Sequence, residues 1–125
     1  MERKGVKLEI KSLRSFVGSK DFDVSRSFYR ELGFEEKVIS DVLSLFQSNE
    51  FAFYLSQSDV EDWINNTELF IVVSDVKECF ERIKQLKLKK KYPRIRIVPV
   101  KEKPWGEAFY ILDPSGIALC FAQFN

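Results

Sequence analysis

The stretch Trp105–Phe121, WGEAFYILDPSGIALCF, decides how the rest of the chain is read. Two extended runs, Glu107–Leu112 and Ile117–Phe121, flank Asp113-Pro114-Ser115-Gly116. Pro114 fixes φ, the Asp113 carboxylate can accept from amides just downstream, and Gly116 permits positive φ, so the four residues spell a tight hairpin turn. In the second run Ile117, Leu119 and Phe121 alternate with Ala118, Cys120 and Ala122. A period of two places the bulky residues on one face of a strand and the small ones on the other. The small face leaves room above the sheet, either for a cleft or for the close approach of a neighbouring element.

Upstream of the hairpin, Ile95–Val98 is extended and Val100–Pro104 reads as an edge strand or loop. Leu69–Val73 is a strong strand, and Asp75 then opens a helical pattern with Val76, Cys79, Phe80, Ile83 and Leu86 on one face. Lys84–Lys91, mostly lysine, is expected to be the solvated end of that helix and its exit loop. The first half repeats the order. Val6–Ser19 is extended, with only its second half strand-like, and Val24, Phe28, Tyr29 and Leu32 recur at helical spacing before Gly33. Asp23 or Ser25 can cap this helix, with Asp21 at its approach. Phe34–Ile39, Val42–Gln47 and Phe51–Leu55 are three strands, and the polar Gln57–Asn66, carrying Trp63, is a linker with a helical turn. The expected fold is therefore α+β, with two β-α-β-β-β modules in one domain: module one about 9–56, linker about 57–67, module two about 68–125. A single short helix covers one face of each sheet, so the uncovered faces are expected to meet across a concavity, within the chain or between two chains.

The chain of 125 residues, 45% hydrophobic and 14% aromatic, is long enough for one core. A formal charge of +1 gives no support to nucleic acid or acidic lipid as a partner. No run has the pattern of a signal peptide or a bilayer span, so a cytoplasmic location is expected, with Cys79 and Cys120 as free thiols.

Two stretches carry a resemblance. Asp21–Phe34, DFDVSRSFYRELGF, resembles the first-module signature of the glyoxalase, bleomycin-resistance and extradiol-dioxygenase (vicinal oxygen chelate) superfamily. Trp105-Gly106-Glu107, Phe109 and Asp113–Gly116 resemble its C-terminal signature. The resemblance implies paired β-α-β-β-β modules whose curved mixed sheets enclose a cleft, commonly in a homodimer. In metal-dependent relatives that cleft holds a divalent ion through the first and last strands of each module. The matching positions here are Arg14, seven residues before Asp21; Glu68, seven before Asp75; Cys120, four after Gly116, where relatives carry a glutamate; and Tyr54 on the first module's last strand.

Arg14 offers donors only, and the chain has no histidine. Glu68, Cys120 and Tyr54 lack a second strong ligand pair, so neither a metal nor another cofactor is expected. Arg14 and Glu68 are expected to face one cleft, either as an ion pair or as anchors for an anionic group and a cation or hydroxyl of a ligand. Cys120 should point into the cleft, where a nucleophilic thiol would need its pKa lowered, with Arg14 as the neighbour to do it. Among twelve phenylalanines, Phe16 and Phe70 share strand parity with Arg14 and Glu68, and Trp105 and Trp63 are placed at the rim. The expected function is metal-independent binding of an amphipathic or aromatic small molecule in the inter-module cleft by Arg14, Phe16, Tyr54, Glu68, Phe70, Trp105 and Cys120, with no catalytic residue. The alternatives are a metal- or thiol-dependent lyase or isomerase of the same superfamily, and a structural interaction module.

Overall fold

In the computed structural model, which describes Gly5–Asn125, the hairpin forms as its residues dictate. Asp113 Oδ1 accepts from the Ser115 and Ile117 amides at 2.8 and 2.9 Å, and Gly116 takes φ 99°. The turn joins β7 (Gly106–Leu112) to β8 (Ala118–Phe124) in antiparallel register, Phe109 opposite Phe121 and Tyr110 opposite Cys120.

The module order is as expected from the sequence. Module one contains β1 (Ser15–Val17), α1 (Phe22–Leu32), β2 (Glu35–Ser40), β3 (Leu43–Ser48) and β4 (Phe51–Ser56). After the short α2 (Glu61–Asn65) come β5 (Glu68–Val72), α3 (Val76–Gln85), α4 (Leu88–Lys91) and β6 (Arg96–Lys103), then the hairpin. Each module makes a four-stranded mixed sheet, in the orders β1-β4-β3-β2 and β5-β8-β7-β6. In both, the first strand lies parallel to the last, β1 on β4 and β5 on β8. The sheets are not closed, so each keeps two edges.

The buried residues of both modules form one continuous core. It takes Phe28 and Tyr29 from α1, Val76 and Ile83 from α3, Phe46, Phe53 and Leu55 from the first sheet, and Phe109, Ile111, Leu119 and Phe121 from the second. Phe109 and Phe121 stack at 4.7 Å, and Tyr29 meets Phe53 edge-on at 5.0 Å. Polar bonds fasten α1 and the residues leading into it to the opposite module. The Tyr29 hydroxyl donates to Asp113 Oδ2 at 2.6 Å, the Lys20 amide donates to Ser115 Oγ at 2.9 Å, and the Ser27 and Tyr92 hydroxyls lie 2.6 Å apart. The helix-covered side of each sheet thus turns inward, and the other side turns to solvent.

Two local expectations are corrected and two are narrowed. The helix cap is Asp21, whose Oδ1 accepts from the Val24 amide at 3.2 Å. Asp23 instead pairs with Arg26, and the Ser25 hydroxyl sits buried 3.3 Å from that of Ser115. The lysine run is not simply a loop, because Leu88 is buried and Leu88–Lys91 close a short helix. Val100–Lys103 continue one strand with Arg96–Val98, across an irregularity between Val98 and Lys101 that accommodates Pro99. Strand β1 keeps only three residues of the long extended segment, and Val6–Ile10 lie exposed ahead of it.

Candidate functional site

The outward face of the second sheet is built by the small side chains of the hairpin. The register aligns Phe70, Cys120 and Tyr110 in one row and Val72, Ala122 and Ala108 in the next, with Glu68 beside Ala118 at the end. Ala108, Cys120 and Ala122 form a floor distinct from the main core, with Trp105 and Tyr110 packed against it. Phe70, Trp105 and Phe124 converge over this sheet, their ring centroids 5.2 to 6.0 Å apart. Phe70 is nonetheless 48% exposed. The turn into β7 requires glycine: a Cβ on Gly106 would lie 2.0 Å from the Gln123 carbonyl oxygen. That close approach holds Trp105 against the C-terminal strand, where its carbonyl accepts from the Asn125 amide at 3.0 Å.

The outward face of the first sheet carries a second group. Arg14 Nη1 donates to the Tyr54 hydroxyl at 2.9 Å, with the guanidinium carbon 5.6 Å from the ring centroid. Phe16 lies 5.1 Å from the same ring and is 62% exposed. Next to Phe16, a shallow hollow of about 700 Å³ runs along Ser56 and Ser58 to Trp63 and Thr67 of the linker.

Arg14, Phe16 and Tyr54 therefore form one group, and Glu68, Phe70, Trp105 and Cys120 another. Among the described residues, no hydrogen bond, ion pair or ring contact joins Arg14 to Glu68. The ion-pair reading of these two is replaced by the Arg14–Tyr54 bond. Tyr110 and Phe124 also belong to the second group. Both share the even-numbered parity of Cys120 and Ala122, so extending the period of two along each strand would have found them.

The charge environment of Cys120 differs from expectation as well. Burial pushes its thiol up, the Tyr110 hydroxyl pulls it back, Glu68 opposes ionisation and Lys103 favours it. Arg14 takes no part in this balance, and the net direction is away from a thiolate. Tyr110 is raised in turn, first by the neighbouring Cys120 and then by burial. Cys79, expected in the core, is half-buried at its edge, where burial also raises the thiol.

The donor set does not fit a divalent metal. No three His, Cys, Asp or Glu side chains cluster among the described residues. The position answering to the first ligand is a guanidinium that donates to Tyr54, and Cys120 is held toward its protonated form.

The other strongly coupled groups are structural. Glu36 accepts from Arg26 Nε at 2.6 Å, from Arg30 Nη1 at 2.6 Å and from the Ser44 hydroxyl at 2.6 Å. Burial works against its ionisation, but these donors outweigh burial and hold its pKa at about 2. The cluster pins α1 to the first sheet from the core-facing side.

No family profile matches the chain, and no curated protein sequence matches it. Solved structures do. The bleomycin-binding protein of bleomycin-producing Streptomyces verticillus, complexed with copper(II)-bleomycin, is 21% identical with a TM-score of 0.76, the match covering 93% of this chain and 99% of that one. A bleomycin resistance determinant encoded on transposon Tn5 is 20% identical with a TM-score of 0.73, covering 92% and 99%. Lactoylglutathione lyase from Agrobacterium tumefaciens is 17% identical with a TM-score of 0.65, covering 93% and 96%. The chain has the fold that these proteins share.

Proposed function

We propose that the chain is a metal-independent, small-molecule-binding member of the glyoxalase and bleomycin-resistance superfamily, taking an amphipathic or aromatic ligand against the outward faces of its sheets. The observation that carries this reading is the group formed by Phe70, Trp105 and Phe124 over a floor of Ala108, Cys120 and Ala122. Flat rings above small side chains offer a planar ligand apolar contact at little cost in side-chain freedom. Arg14, held by Tyr54 at the surface, supplies a donor for an anionic group, and Glu68 an acceptor. The bleomycin-binding protein of this fold supplies a precedent for small-molecule binding.

The reading includes a homodimer. The helical sides of both modules share one core, so the Arg14 face and the Trp105 face both point away from it. A second copy laid across them sets the first sheet of one chain against the second sheet of the other, and completes two equivalent clefts.

The test uses anilinonaphthalene sulfonate, an aromatic anion, titrated in the presence of a metal chelator and followed by probe and tryptophan fluorescence. Saturable binding is expected, with displacement by metal-free bleomycin. Trp105→Ala and Arg14→Gln should each weaken it about tenfold, the scale of one lost aromatic or charge-assisted contact. Binding unchanged in both variants, or dependent on added metal, would overturn the proposal.

A further inference from the structure

Charge is unevenly distributed along the chain. Arg82–Lys101 holds nine of its 20 basic residues and none of its 19 acidic ones, leaving eleven bases against nineteen acids, a formal −8, elsewhere. The whole-chain value of +1 averages over this segregation.

The fold gathers these cations at one end of the molecule, on the last turn of α3, on α4 and on the start of β6. Leu88, Tyr92 and Ile95 are buried and anchor the segment in the core. Every other residue from Lys87 to Arg96 is Lys, Arg or Pro, and all of them are exposed. The backbone beneath them is fixed: the Tyr92 amide donates to the Leu88 carbonyl at 2.8 Å, the Ile95 amide to the Tyr92 carbonyl at 3.1 Å, and Lys89 Nζ to the Ile95 carbonyl. Lys87 stands at φ 53° and ψ 42°, the left-handed position after a helix where glycine is the usual residue.

Three of the nine cations are neutralised locally, Arg82 by Glu78, Lys84 by Glu81 and Lys91 by Glu31. Among the described residues no ion pair reaches Lys87, Lys90, Arg94 or Arg96. The C-terminal end of α3 favours Arg82 and Lys84, but Arg94 and Arg96 lie beyond both helices and have no such role. Unpaired like charges held on a rigid surface repel one another, and a polyanion relieves that repulsion.

We propose that this end of the molecule binds the phosphate backbone of double-stranded nucleic acid, without reading its sequence, through Lys87, Lys90, Arg94 and Arg96. Guanidinium and ammonium groups are the usual phosphate partners, and charge alone is what a duplex backbone requires. The segment exposes no aromatic ring on which single-stranded bases could stack. Its large apolar side chains from Leu88 to Ile95 point inward, so it has nothing to insert into a bilayer. Arg94 precedes β6 at the end away from Trp105, and the inference does not rest on the ligand reading.

The test is fluorescence anisotropy of the full-length protein with two labelled duplexes of unrelated sequence, between about 50 and 200 mM salt. Both should bind alike, with log K falling against log salt at a slope of about −3 to −4, as four phosphate contacts require. Lys90→Glu with Arg94→Glu should weaken binding tenfold or more and flatten the slope by about 2. Lys87→Gly relieves the left-handed backbone, so it should melt no lower than the parent while flattening the slope by about 1. Lys7→Glu with Lys37→Glu, the same change in net charge elsewhere, should have a much smaller effect. No binding at about 50 mM salt, or equal weakening by the Lys7 and Lys37 pair, would overturn the proposal. So would tighter capture of phosphatidylglycerol vesicles or of polyglutamate than of either duplex.

Discussion

Asp113 occupies two roles that pull in opposite directions. Burial raises its carboxyl above the usual range, while the Tyr29 hydroxyl and the amides of Ile117, Ser115 and Gly116 draw it back. The turn needs an acceptor at this position, and the fold buries it, so the hydroxyl from the other module is what makes the charge tolerable. Tyr29→Phe keeps the ring and removes that donor. The variant should unfold in urea with a loss of about 2 kcal/mol at neutral pH, the scale of a hydrogen bond to a charged group. Because the folded pKa is raised above the unfolded one, Asp113 favours the folded state most below the unfolded value and progressively less as pH rises past it. Removing Tyr29 raises the folded value further. The penalty should therefore shrink toward pH 4 and grow toward pH 7, and a penalty constant across that range would count against the Tyr29–Asp113 assignment. The turn chemistry of Asp113 was legible in Asp-Pro-Ser-Gly, whereas its partner 84 positions away was not, because nothing local links Tyr29 to it.

At the scale of elements, α1 is held on two sides by different means. Apolar rings hold it to the core, and Glu36 of β2 binds Arg26 and Arg30 on its flank. The folded pKa of Glu36, about 2, lies below its usual 4.5, so this contribution is complete above pH 4.5 and is lost as pH falls toward 2. Glu36→Gln should cost about 2 kcal/mol at pH 7, and its acid unfolding curve should be flatter than the wild type between those two pH values. Equal acid slopes for the two proteins would refute the charge assignment. The helix and its glycine stop were evident from spacing. The identity of its cap was not, since Asp21, Asp23 and Ser25 all have the right chemistry and only the backbone geometry separates them.

At the scale of the whole molecule, the proposed dimer makes each cleft from two chains, and mixing variants tests that directly. Neither Arg14→Gln nor Trp105→Ala should bind well alone. When the two are mixed and allowed to exchange subunits, half the dimers are mixed, and each restores one cleft with both groups intact. About one quarter of the wild-type sites should return in a ligand titration. No recovery, with exchange verified by mass, would mean that each cleft lies within one chain. In the proposed dimer each of the two groups of site residues would be half of a surface that the neighbour completes.

Near neighbours along the chain settled the modules, the hairpin turn, the α1 and α3 stripes, and the alternation that leaves β8 with one bulky face and one small. These follow from backbone sterics and from side-chain periods of 2 and 3.6. Which faces meet was a matter for tertiary packing. It set the helical sides of both modules into one core, bonded Arg14 to Tyr54 rather than to Glu68, and left a strand-patterned arm without a sheet. Burial is shared among distant residues, and a pattern in the chain states that a face will be covered without stating what covers it.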